Sequence, residues 1–142
     1  MKTAIVLVQT SKKEFAPLAR KVRKALIEAL SVLQREDAAL ELHILSNRAM
    51  RAINNATRGK NEPTNVLSFE GDGFPRADVR GKTYLGEIYL APEVIRVRGE
   101  DAIFLAIHGL LHLFHYTHEK NRDRITMEKA EDGLLAEIAT RI

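Results

Sequence analysis

Between Asp101 and Tyr116 almost every residue other than the histidines and Gly109 is apolar. A helix that is apolar on nearly every side has no face to give to water, so other elements must enclose it. The segment therefore predicts a helix buried on most sides, with the rest of the chain as its cover. At 142 residues there is enough chain for one such core and too little for a second of useful size. Residues 1–142 are thus expected to form a single domain.

The cover can be read from periodicity. Thr3 to Gln9 is β-branched and apolar, as a buried strand is. From Phe15 to Leu33 the apolar positions Leu18, Ala19, Val22, Ala25, Leu26, Ala29 and Leu30 recur at helical spacing, with Arg20, Lys24 and Glu28 opposite. Leu40, Leu42 and Ile44 alternate with Glu41 and His43, which predicts a half-buried strand with His43 as a surface histidine on its polar side. Ser46 can cap a helix through about Ala56, and a polar loop then enters a strand at Asn65 to Phe69. Gly71 to Lys82 is rich in Gly, Asp and Arg and predicts a mobile surface loop, followed by a strand from Tyr84 to Leu90. Pro92 can open a helical turn, and an amphipathic helix is expected from about Ile125 to Ile142. This order predicts an α+β fold, a mixed sheet of about four strands covered by helices.

The buried helix also carries an unusual side-chain set. Four of the five histidines fall in HGLLHLFHYTH, from His108 to His118. His108 and His112 are four apart, so on a helix their rings share one face and can reach the same ion. His118 follows six residues later and can return as a third ligand if the chain turns after about His115, leaving a tetrahedral ion one position for water. There is no cysteine, so a transition-metal site must use histidine and carboxylate, and no acid stands nearby to pair with the histidines instead. Zinc proteases place a general-base glutamate directly after the first histidine of HExxHxxGxxH. Here that position is Gly109, which disfavours peptide hydrolysis by that route.

Lys and Arg outnumber Asp and Glu by 22 to 19, and the excess is clustered. Lys12, Lys13, Arg20, Lys21, Arg23 and Lys24 form one group, and Arg48, Arg51, Arg58 and Lys60 another. Such groups suit nucleic acid if they share a surface. The apolar run Ala4 to Val8 is too short for the core of a signal peptide, and no stretch is long enough to span a membrane, so a cytoplasmic protein without membrane contact is expected.

HGLLHLFHYTH resembles the HGxLHLxGYDH signature of the YbeY family, bacterial endoribonucleases that mature ribosomal RNA. TRGKNEPTNVLSFE is similar to that family's YRGKDKPTDVLSFP segment, and YLGEIYLAPEVI to its LGDIxIS strand. The resemblance implies one Zn2+ per chain held by His108, His112 and His118 on a helix arranged as in the zincins, with Arg58 as the functional arginine of the loop before the strand. It further implies cleavage of single-stranded RNA in maturation of small-subunit ribosomal RNA and in ribosome quality control, with the small ribosomal subunit and its proteins as partners. The chain departs from the pattern at His115, where the family has Gly, at Thr117, where it has Asp, and at Asn65, where it has the Asp of TDVLSF. Two alternatives stay open: a ribosome-assembly factor with a structural zinc, whose fourth position His115 could fill, and a metal-dependent hydrolase of another substrate, which Gly109 and the basic balance disfavour.

Overall fold

The computed structural model describes residues 3–114 and 121–141 of the chain. In chain order its elements are β1 (Ile5–Thr10), α1 (Ala16–Val32), β2 (Ala38–Ile44), α2 (Asn47–Arg58), β3 (Val66–Glu70), β4 (Pro75–Arg76), β5 (Lys82–Leu90), α3 (Pro92–Val97), α4 (Ala102–Leu113) and α5 (Asn121–Ala139). The fold is α+β. The sheet runs β1-β2-β5-β3, with the short β4 paired to β5 off this path. β1, β2 and the long β5 are parallel, and β3 and β4 run antiparallel to β5. β3 therefore forms one edge of the main path.

Strand alternation sorts the sheet into two unlike faces. Val6, Leu40, Leu42, Ile88 and Leu90 point to one side and join Val22, Leu26, Leu30, Ile107, Leu110, Leu111, Met127 and Ile138 in the main core. On that side α4 packs against β3, β5, α1 and α5, so the most apolar helix lies between the sheet and two other helices, as its composition requires. Each fully buried leucine there contributes roughly 1.5–3 kcal/mol. Asp101 starts α4 by accepting from the backbone N–H of Ile103 at 2.8 Å and of Phe104 at 3.3 Å. On the opposite side Leu45, Met50, Leu67 and Ala91 form a small second cluster beneath α2.

Two expectations are corrected here. The segment 71–82 is not simply a surface loop: β4 pairs with the start of β5, and a 3-10 turn at Ala77–Val79 buries Val79. The cause is Arg76, whose guanidinium lies 4.0 Å from the Tyr84 ring centre while its Nη2 bonds the Asp78 carboxylate at 2.6 Å. His43 does lie on the polar side of β2, but its side chain is only 13% exposed. It stacks on Tyr89 at 4.4 Å and bonds Glu41 at 3.1 Å. The Tyr84 and Tyr89 hydroxyls donate to Glu41 and Glu87, and burial, with Glu87 beside it, pushes the Tyr89 hydroxyl up to about 12. No helix among the described residues is long and apolar enough to cross a membrane.

Candidate metal and phosphate site

The histidines are placed by the packing of α4. Gly109, between them, faces the sheet: a Cβ there would lie 3.2 Å from Ile88 Cγ2 and 3.6 Å from Val66 Cγ2. Glycine at this position lets the helix approach β5 and the edge strand β3 closely, which gives the position after His108 a packing role. His108 and His112 consequently face the groove between α4 and β3. Their Nε2 atoms lie 3.1 Å apart, with the two rings nearly perpendicular at 74°.

His108 Nδ1 donates to Glu131 Oε1 at 2.8 Å. Glu131 stands on α5, and its residue is only 3% exposed. The sequence expectation that no acid would pair with these histidines is thus overturned: the acid comes from another helix, 23 residues away. The contact fixes the His108 tautomer and leaves the Nε2 lone pair aimed at His112.

This donor set fits a metal ion. An ion bound tetrahedrally at about 2.0–2.1 Å by two imidazoles would separate their nitrogens by about 3.3 Å, close to the observed spacing. A carboxylate on the far nitrogen of a ligating histidine is the usual support for such a site. Among the described residues no group of three His, Cys, Asp or Glu is arranged to hold an ion. The expected third ligand, His118, and His115 both lie outside the described residues, as does Thr117.

Arg58 reaches the same place by a different route. It is the last residue of α2 rather than part of the loop, because the helix continues two residues past the expected end and stops at Gly59, whose φ of +70° closes it with a left-handed cap. The chain is then held to α2 by Asn54, buried in the helix, whose Nδ2 donates to Glu62 O at 2.8 Å. A cavity of about 350 Å³ results, lined by Arg58, Val66, Leu67, Ser68, Phe69, His108, Gly109 and His112. Three of the four expected site residues, Arg58, His108 and His112, line this cavity. Phe69 belongs to the lining as part of β3, but its ring packs on the other face of the sheet, edge-on to Tyr89 at 5.7 Å. In a larger cavity of about 580 Å³ at the start of the parallel strands, Asp37 is paired with Arg35 and Lys82 donates to the Glu36 carbonyl.

The position occupied by Asn65 in place of an aspartate is also accounted for. Its Oδ1 accepts from Val66 N at 2.7 Å, while Nδ2 bonds both Glu100 oxygens at 3.1 and 3.2 Å. An amide can do both, whereas a carboxylate could make only the first contact and would repel Glu100.

The family model described as Endoribonuclease YbeY matches residues 5–139. The chain belongs to the YbeY family. An Endoribonuclease YbeY from Pseudoalteromonas translucida is 33% identical over 112 residues, covering 73% of this chain and 72% of that protein. Another from Bartonella bacilliformis is 36% identical over 129 residues, covering 83% and 80%. The solution structure of TM1509 from Thermotoga maritima superposes with a TM-score of 0.63 at 20% identity, over 96% of this chain and 91% of that one, so the two share a fold across the whole arrangement described above.

Proposed function

We propose that this chain is a zinc-dependent endoribonuclease that cuts single-stranded RNA and acts in the maturation of small-subunit ribosomal RNA and in ribosome quality control. The observation that carries this reading is the cavity itself: it is lined by an arginine at the end of α2 and by two histidines on α4, one of them bonded to a buried carboxylate. Membership of the YbeY family supplies RNA as the substrate class and implies His118 as third ligand. When bound, the ion supplies Lewis acidity toward a phosphoryl oxygen and acidifies water.

The chain's own residues do the rest. His108 and His112 present their Nε2 atoms to the ion, and Glu131 keeps the proton of His108 on Nδ1 so that Nε2 stays a donor of its lone pair. Arg58 offers a planar fork to the non-bridging oxygens of the scissile phosphate and holds the charge that grows there. Gly109, packed on Ile88 and Val66, has no side chain to act as the base of a zinc peptidase, which favours a phosphate over a peptide in the groove. Binding to the small ribosomal subunit and work in the cytoplasm follow from this reading.

The test is single-turnover cleavage of single-stranded RNA at saturating enzyme. Arg58→Lys keeps the charge but loses the two-point grip, so the rate should fall on the order of a hundredfold or more with zinc content unchanged. Equal rates in the two proteins would remove Arg58 from the reaction, and absence of zinc-dependent cleavage in either would leave an assembly factor as the better description.

A further inference from the structure

Helix α2 is divided along its length. Met50 and Asn54 are buried, with Ala49 and Ile53 beside them half-buried, whereas Arg48, Arg51, Asn55 and Arg58 are all exposed. These four lie at steps of three, four and three residues, which places them in one stripe along the outer face. No described carboxylate forms an ion pair with Arg48, Arg51 or Arg58. The stripe ends at Arg58, inside the cavity, and Arg48 lies about 15 Å away along the helix axis.

We infer that this stripe is the track along which a single-stranded RNA leaves the cavity, Arg51 and Arg48 binding the phosphates next to the one held by Arg58. The inference rests on the ribonuclease reading and extends it to the path of the substrate. Two features select the occupant. Three guanidinium groups without carboxylate partners on one helix face call for a polyanion, and the continuity of the stripe with the cavity calls for one that also reaches His108 and His112. The length suits a few nucleotides of an unstacked strand. Asn55, between the arginines, adds an amide that can bond a phosphate or sugar without reading sequence. The other basic group is set apart by position: no residue of α1 lines the cavity, and one of its guanidinium groups is already engaged, Arg23 Nε with the Val6 carbonyl at 3.1 Å.

The experiment is fluorescence anisotropy of labelled single-stranded RNA over a salt series. It compares the zinc-loaded wild type with the Arg48→Gln/Arg51→Gln pair and with Arg20→Gln/Lys24→Gln on α1, which removes the same charge elsewhere. Glutamine is a good helix former, so both pairs should fold. With a strand of about 12 nucleotides, the α2 pair should bind on the order of tenfold more weakly at low salt, and its log–log salt slope should be shallower by about 1.4. With a strand of about three nucleotides, too short to leave the cavity, the same pair should bind within about twofold of wild type. The α1 pair should keep the wild-type slope. Equal weakening by both pairs would show a net-charge effect and overturn the track, as would an α2 pair indistinguishable from wild type, the result expected if the stripe serves a protein surface. A wild type without salt-dependent RNA affinity would overturn the ribonuclease reading along with it.

Discussion

Helices α4 and α2 are the same length, 12 residues, and both deliver side chains to one cavity, but they do so by opposite means. α4 is buried on most sides, and its imidazoles are fixed because the helix around them cannot shift without disturbing Leu110, Leu111 and Ile107. α2 buries one face only, and Arg58 stands at its exposed end, positioned by the Gly59 cap and by Asn54 on the chain beyond. The pair that would hold an ion is therefore built into the core, and the group that would meet a phosphate is built into the surface. A metal site needs atoms fixed to fractions of an ångström, whereas a guanidinium on a long side chain can follow a polymeric substrate.

The largest expected difference between the two helices is in metal retention. His112→Ala should lose the bound zinc, taking content from about one per chain to near zero, while Arg58→Ala should keep it at the wild-type level. Elemental analysis of the two purified proteins decides this, and zinc retained in His112→Ala would show that the α4 pair does not form the site. A smaller effect is expected one layer out. Glu131→Gln keeps the shape of the side chain but weakens its hold on the His108 Nδ1 proton, and zinc affinity measured by chelator competition should fall about 10- to 100-fold. An unchanged affinity would mean that packing alone orients the ring. The smallest effect belongs to the surface side. Asn65→Asp sets a carboxylate against Glu100 and should cost about 1 kcal/mol in denaturant unfolding, recovered when Glu100→Gln is added. A loss that persists in the double variant would place its cause elsewhere than this contact.

What the sequence made legible follows the range of the interactions concerned. The enclosure of α4 and the shared face of His108 and His112 are consequences of helical spacing and were readable directly. The cap at Gly59 is also local, yet the loop-like composition around it hid that Arg58 still belongs to the helix. Glu131 was invisible because its partner is on another helix, and no periodicity connects positions 108 and 131. His43 shows the same limit in another form: alternation gave its face of the sheet, but its burial depends on Tyr89 of a neighbouring strand. In the segment 71–82, a two-residue strand pairs with β5 where one arginine lies on one tyrosine ring, a contact that composition does not announce.

The bond from Glu131 to His108 has a consequence in time. Chains are made and begin to fold from their N-terminus, and contacts far apart in sequence close later than local ones. The residues of the sheet and α4 have all been added by about position 114, but the carboxylate that sets the His108 tautomer arrives only with α5. A growing chain thus possesses its imidazoles before it possesses their orientation, and the two nitrogens acquire their final aim when the later helix docks. Slowing the docking of α5 should therefore delay metal uptake, read by the rate at which zinc is taken up during refolding.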